Sequence, residues 1–131
     1  MSTANEGSLS SKKILIVDDD RAIHVMLGAV LSAHGFVVLS AMTGEDGLRL
    51  ASLEKPDLII LDVIMPTMKG REVCRKIKEN PETGPIPVLF LTAKNSEDDV
   101  QAEMAIGAVG HVTKPINSAL LVKLIEKVLG S

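Results

Sequence analysis

Three uninterrupted apolar runs punctuate the chain: Ile14-Leu15-Ile16-Val17, Leu58-Ile59-Ile60-Leu61 and Val88-Leu89-Phe90-Leu91. Each is too short for a helix, and each is bounded by charges or turn formers. Continuous rather than alternating apolarity predicts strands covered on both faces, as in a parallel sheet. Two weaker segments, VVLSA (37–41) and AVGHVT (108–113), bring the strand candidates to five. Between them the apolar positions change to helical spacing. Ile23, Leu27, Val30 and Leu31 share one face of 20–33, and Gly35 supplies a stop. Thr43 with Asp46 reads as a capping-box variant, opening a helix that ends before Lys55-Pro56. Val73, Cys74 and Ile77 mark a third helix, closed by Asn80-Pro81. Ser96 reads as an N-cap followed by Glu97, Asp98 and Asp99, whose charges suit a first turn. Asn117 caps a last helix with the apolar face Leu120, Leu121, Leu124, Ile125, Val128 and Leu129.

Strand followed by helix, five times over, predicts an α/β fold. The expected architecture is a doubly wound parallel sheet with helices on both faces, in three layers. There is no internal repeat, and 131 residues suit a single domain. Residues 1–11 are expected to form a disordered lead-in to a domain over 12–131.

Composition narrows the function. With 46% apolar and 24% charged residues, a full core needs no covalent staples. The single cysteine, Cys74, excludes a disulfide framework and a thiolate metal cage. A net charge of -3 with scattered Lys and Arg argues against a nucleic-acid surface. No apolar run approaches the roughly 20 residues that span a bilayer. The opening MSTANEGSLSSKK lacks the apolar stretch of a secretory signal, so a cytoplasmic location without membrane attachment is expected.

The chemistry lies where the strands stop. The first ends in Asp18-Asp19-Asp20, the third in Asp62, the fourth in Thr92 and the fifth in Thr113-Lys114. Ligands of open α/β sheets bind outside the carboxyl ends of the strands. Carboxylates, a hydroxyl and an ammonium are therefore expected in one crevice. Clustered carboxylates repel unless a proton or cation sits among them. Oxygen donors without Cys or His at suitable spacing point to Mg2+ or Mn2+. A carboxylate beside such an ion can attack phosphorus, and Asp62 on the central strand is best placed to do so. Lys114 and Thr92 would stabilise the phosphoryl oxygens. Taken singly these residues are unremarkable: Asp20 reads as an N-cap, and His24 and His34 read as surface residues of the first helix. Convergence of Asp18, Asp19, Asp62, Thr92 and Lys114 on one edge is what points to a site.

Four motifs, "ILIVDDD" (14–20), "LIILDVIMPTMKG" (58–70), "VLFLTA" (88–93) and "HVTKPI" (111–116), occur in that order. With them the chain resembles the receiver domains of bacterial two-component response regulators, over about 12 to 130. The resemblance implies a flavodoxin-like sheet in the order 2-1-3-4-5. It implies that Asp62 accepts a phosphoryl group from a sensor histidine kinase or phosphotransfer protein. Asp18, Asp19, Asp62 and the Ile64 backbone carbonyl would hold Mg2+, with Asp18 acting through water. Thr92 would act as the switch, Lys114 would pair with the phosphoryl group, Ala93 would leave room for it, and Lys114-Pro115 would be cis. The chain would catalyse only its own phosphorylation and dephosphorylation. Its target would dock on the fourth helix, fifth strand and fifth helix.

The chain departs from that family in two places. The aromatic residue usual three positions before the lysine is His111, whose inward state would be polar and pH-sensitive. Two positions after Asp62 stands Ile64, bulky enough to hinder an attacking water. Rival functions fare less well. A dinucleotide enzyme needs G-x-G-x-x-G where DDDRAI stands. A flavodoxin needs a phosphate loop there and flanking aromatics. The enzymatic rival, a small phosphatase with an aspartyl nucleophile, generally needs a second acid where Ile64 stands.

Overall fold

The computed structural model describes residues 12–66, 68–93 and 97–130. The expected lead-in, 1–11, and the expected cap Ser96 lie outside the described residues. In chain order the elements are β1 (Lys13–Val17), α1 (Arg21–Ala33), β2 (Val37–Ala41), α2 (Gly44–Glu54), β3 (Leu58–Asp62) and α3 (Gly70–Glu79), followed by β4 (Val88–Thr92), α4 (Glu97–Ile106), β5 (Gly110–Thr113) and α5 (Ser118–Gly130). The five strands form one parallel sheet in the order β2-β1-β3-β4-β5. The doubly wound α/β architecture read from the pattern is the one observed.

Strand alternation splits the core into two clusters. Ile14, Ile16, Leu58, Ile60, Leu89 and Leu91 point to one face, where Leu27 and Leu31 of α1 and Leu121, Val122 and Ile125 of α5 cover them. Leu15, Val17, Ile59, Leu61, Val88 and Phe90 point to the other, against Ala51 of α2 and Val73, Cys74 and Ile77 of α3. Every residue of β3 and β4 is buried, which explains why their sequences do not alternate. Ile14 pairs with Leu58 and Ile59 with Val88, so β3 lies at the middle of the sheet with covered neighbours on both sides.

The helix ends follow local chemistry. Asp20 is the N-cap of α1, its side chain accepting the Ala22 N–H at 2.9 Å. Thr43 caps α2 by accepting the Asp46 N–H at 3.1 Å, and Asn117 accepts the Leu120 N–H at 3.1 Å ahead of α5. Gly35, with φ 91°, takes the left-handed conformation that ends α1. The fifth strand is shorter than the expected 108–113. The Ala108 N–H is drawn back to the Glu103 carbonyl at 3.2 Å, so Ala108 closes α4 instead of extending the strand. Among the described residues no helix is long and apolar enough to cross a membrane.

Candidate acidic site at the carboxyl edge of the sheet

β1 and β3 run side by side with Val17 opposite Leu61, so the residues that follow these two, Asp18 and Asp62, meet. One carboxylate oxygen from each of Asp18, Asp19 and Asp62 lies within 4.8 Å of the others. Asp18 is fully buried, Asp62 is 5% exposed and Asp19 faces solvent. β5 delivers the counter-charge. The Lys114 ammonium stands 3.3 Å from Asp18 Oδ2 and 3.5 Å from Asp62 Oδ1, bridging the two buried acids. Its backbone N–H donates to the Thr92 carbonyl at 2.8 Å, which ties the ends of β4 and β5 together. Thr92 is itself buried, directly after Leu91, the register partner of Asp62.

Burial first, and then the charge of Asp18, push the Asp62 pKa up, to about 6 from an ordinary 3.8. Lys114 and the Ile64 N–H, which donates to Asp62 Oδ1 at 3.3 Å, pull the other way without cancelling it. Burial pulls the Lys114 ammonium down, but attraction from Asp18 and then Asp62 outweighs it, and the net shift is upward. One ammonium thus compensates the two buried carboxylates only in part, and Asp62 remains a strained anion. A hard divalent cation suits what is left. The donors are all oxygen, three carboxylates converge, and Asp19 leaves one side open to water and a further ligand.

The backbone beyond Asp62 is held tightly. The Gly70 N–H donates to the Val63 carbonyl at 2.9 Å. A Cβ at Gly70 would run into the Asp62 carbonyl, so a larger residue would displace the strand end that carries Asp62. The Ile64 side chain is 61% exposed in the loop that follows β3. Pro115 follows Lys114 through a cis peptide bond, and Ala93 is exposed just past Thr92. His111 is half-buried in β5 opposite Phe90, which places it on the face of the sheet shared with α3, three residues upstream of Lys114. The structure therefore gathers Asp18, Asp19, Asp62 and Lys114 tightly, sets Thr92 beside them, and leaves His111 further back along its strand.

One contact contradicts the sequence reading. His24 is not a solvated surface residue of α1; it is half-buried, with Nε2 2.7 Å from the Asp18 carbonyl. Only the folding back of α1 onto the β1 end creates that contact, and no spacing rule signals it.

Known proteins share this fold and sequence pattern. The family model of the response regulator receiver domain matches residues 14–126. The chain belongs to the response regulator receiver family. It is 40% identical over 117 residues to protein PilH of Pseudomonas aeruginosa, covering 89% of this chain and 97% of PilH. It is 42% identical to response regulator PleD of Caulobacter vibrioides, covering 85% of this chain but 24% of PleD. Against the transcriptional regulatory protein AfsQ1 of Streptomyces coelicolor, 40% identical, it covers 88% of this chain and spans 50% of that protein. Among solved structures, the chemotaxis protein CheY4 of Vibrio cholerae superposes with a TM-score of 0.87 at 34% identity, covering 92% of this chain and 100% of CheY4. The chain is thus a two-component receiver, matching nearly all of PilH but only part of the longer AfsQ1 and PleD.

Proposed function

We propose that this receiver accepts a phosphoryl group on Asp62 from the phosphohistidine of a sensor histidine kinase or phosphotransfer protein. The observation that carries the reading is Asp62 itself: a 5%-exposed carboxylate ending the central strand, 3.5 Å from an ammonium and inside an all-oxygen cluster. An Asp62 carboxylate oxygen attacks phosphorus; the new O–P bond forms as the N–P bond of the phosphohistidine breaks, and the imidazole departs with that electron pair. Lys114 pairs with the phosphoryl oxygens, and the Thr92 hydroxyl turns to hydrogen-bond them. Asp18, Asp19 and Asp62, with the Ile64 carbonyl, would hold Mg2+ or Mn2+, which bound there supplies positive charge to the transferring group. Ala93 leaves room for the phosphoryl group, and Pro115 sets the turn that presents Lys114.

The output is a change in protein contacts on α4, β5 and α5, with His111 as the responding side chain in place of an aromatic. The setting is cytoplasmic, without nucleic-acid or membrane contact of its own. The aspartyl-phosphatase alternative lacks its second acid, because Ile64 stands where that residue belongs. Incubation with Mg2+ and a phosphomonoester separates the two. The receiver reading expects no sustained release of phosphate, together with one phosphoryl group per chain from a small acyl or amido phosphate. Steady turnover of the ester would overturn it.

A further inference from the structure

Asp18 is restrained at almost every polar atom. Its N–H donates to the Ala41 carbonyl at 3.1 Å, its Oδ1 accepts the Asp20 N–H at 2.9 Å, and its Oδ2 faces Lys114 at 3.3 Å. The remaining atom is its carbonyl. That oxygen lies ahead of the helix ladder, whose first acceptor is the Asp20 carbonyl, taken by the N–H groups of Ile23 and His24. Its partner is the His24 ring at 2.7 Å. A carbonyl has no proton to give, so Nε2 must be the donor. Nδ1 is buried and has no hydrogen-bond partner among the described residues, so Nε2–H is the ring's one hydrogen bond. His24 is therefore a one-donor strut from the first turn of α1 to the end of β1.

The peptide held by that strut joins Asp18 to Asp19. Among the described residues no hydrogen bond is made by the exposed Asp19 carboxylate, so no partner side chain steers it toward the cluster. Fixing the plane of the Asp18–Asp19 peptide fixes the backbone position from which the Asp19 side chain departs, and so which of its rotamers reach the cluster. We infer that His24 is a positioning residue for divalent-cation binding, holding the Asp18 carbonyl through Nε2–H so that Asp19 converges with Asp18 and Asp62. This rests on the acidic cluster being the cation site of the receiver. Groups that orient metal ligands commonly change affinity by roughly 10–100-fold when removed.

Glutamine reaches to about where Nε2 lies, whereas the asparagine amide ends near Nδ1. The test is Mn2+ titration of the unphosphorylated protein by electron paramagnetic resonance, with thermal unfolding of each variant recorded in parallel. His24→Leu and His24→Asn are expected to weaken Mn2+ by about tenfold or more. His24→Gln is expected to stay within about threefold of wild type, whatever the order of the three melting temperatures. In the metal-free protein, imidazole 15N shifts should report the Nε2–H tautomer. Equal Mn2+ affinity in wild type and all three variants would overturn the positioning role and leave the cation site intact. So would affinities that track thermal stability without rescue by glutamine, or an Nδ1–H tautomer. A wild-type protein that binds no Mn2+ would instead overturn the reading on which the inference rests.

Discussion

Two helices flank β5 from opposite faces of the sheet and are held by opposite means. α5 buries Leu121, Val122 and Ile125 in a continuous apolar seam with Leu89 and Leu91. In α4, among the described side chains, the fully buried one is a charge: Glu103, 1% exposed, 3.8 Å from Arg71 of α3. The apolar part of α4 in the core is the half-buried Ile106. An apolar seam is stabilising in proportion to its area, whereas a buried ion pair recovers little beyond its own desolvation cost. The same sheet edge thus carries one helix fixed by burial and one whose seat depends on a charge pair. The second is the helix that follows β4, the strand ending in Thr92 beside the acidic site.

That contrast can be broken by measurement. Leu121→Ala should cost about 2–5 kcal/mol in denaturant unfolding, while Ile106→Ala should cost about 1 kcal/mol. Equal losses would erase the distinction between the helices. The next effect comes from the site itself. Asp62 holds its proton more tightly folded than unfolded, so ionisation between pH 3.8 and about 6 subtracts from stability as pH rises. With chelator present, Asp62→Asn should therefore be more stable than wild type by up to about 3 kcal/mol at pH 7 and lose that advantage below pH 3.8. Native-state amide exchange in the same variant should still show α4 opening at lower free energy than α5.

Smaller effects probe the charge pair. Arg71→Ala removes the guanidinium facing buried Glu103 and should cost roughly 2 kcal/mol, short of the about 3–5 kcal/mol of a fully buried pair because Arg71 is partly exposed. Glu103→Leu, which replaces the charge with apolar bulk, should be near neutral or stabilising and should slow amide exchange in α4. A loss from Glu103→Leu larger than from Arg71→Ala would show that α4 is not seated in the way described. As a baseline, the exposed Lys13–Glu54 pair at 3.2 Å should show a coupling of about 0.2–1 kcal/mol in a double-mutant cycle.

The strands were legible because burial on both faces leaves a plain signature: LIIL and VLFL can be little else between turn formers. The caps at Asp20, Thr43 and Asn117 were legible for a similar reason, since each acts on a backbone group two or three residues away. The acidic cluster could be read because the sheet topology collects strand ends. What escaped depends on contacts that neither apolar spacing nor capping rules signal. The pairing of Glu103 with Arg71 of α3 has no sequence signal, and His24 reads as surface until α1 folds its ring onto the Asp18 carbonyl. The start of β5 was misjudged because Ala108 bonds back to Glu103, a choice made by the end of α4 and invisible in strand propensity.

The claim on which all of this turns is that Asp62 is the nucleophile. Intact-protein mass spectrometry after incubation with Mg2+ and a small phosphodonor tests it most directly, comparing wild type with Asp62→Asn. The wild-type chain should gain one phosphoryl group that chelator blocks, and Asp62→Asn should gain none. A single phosphoryl group on both chains would mean that another residue accepts it, and would contradict the account.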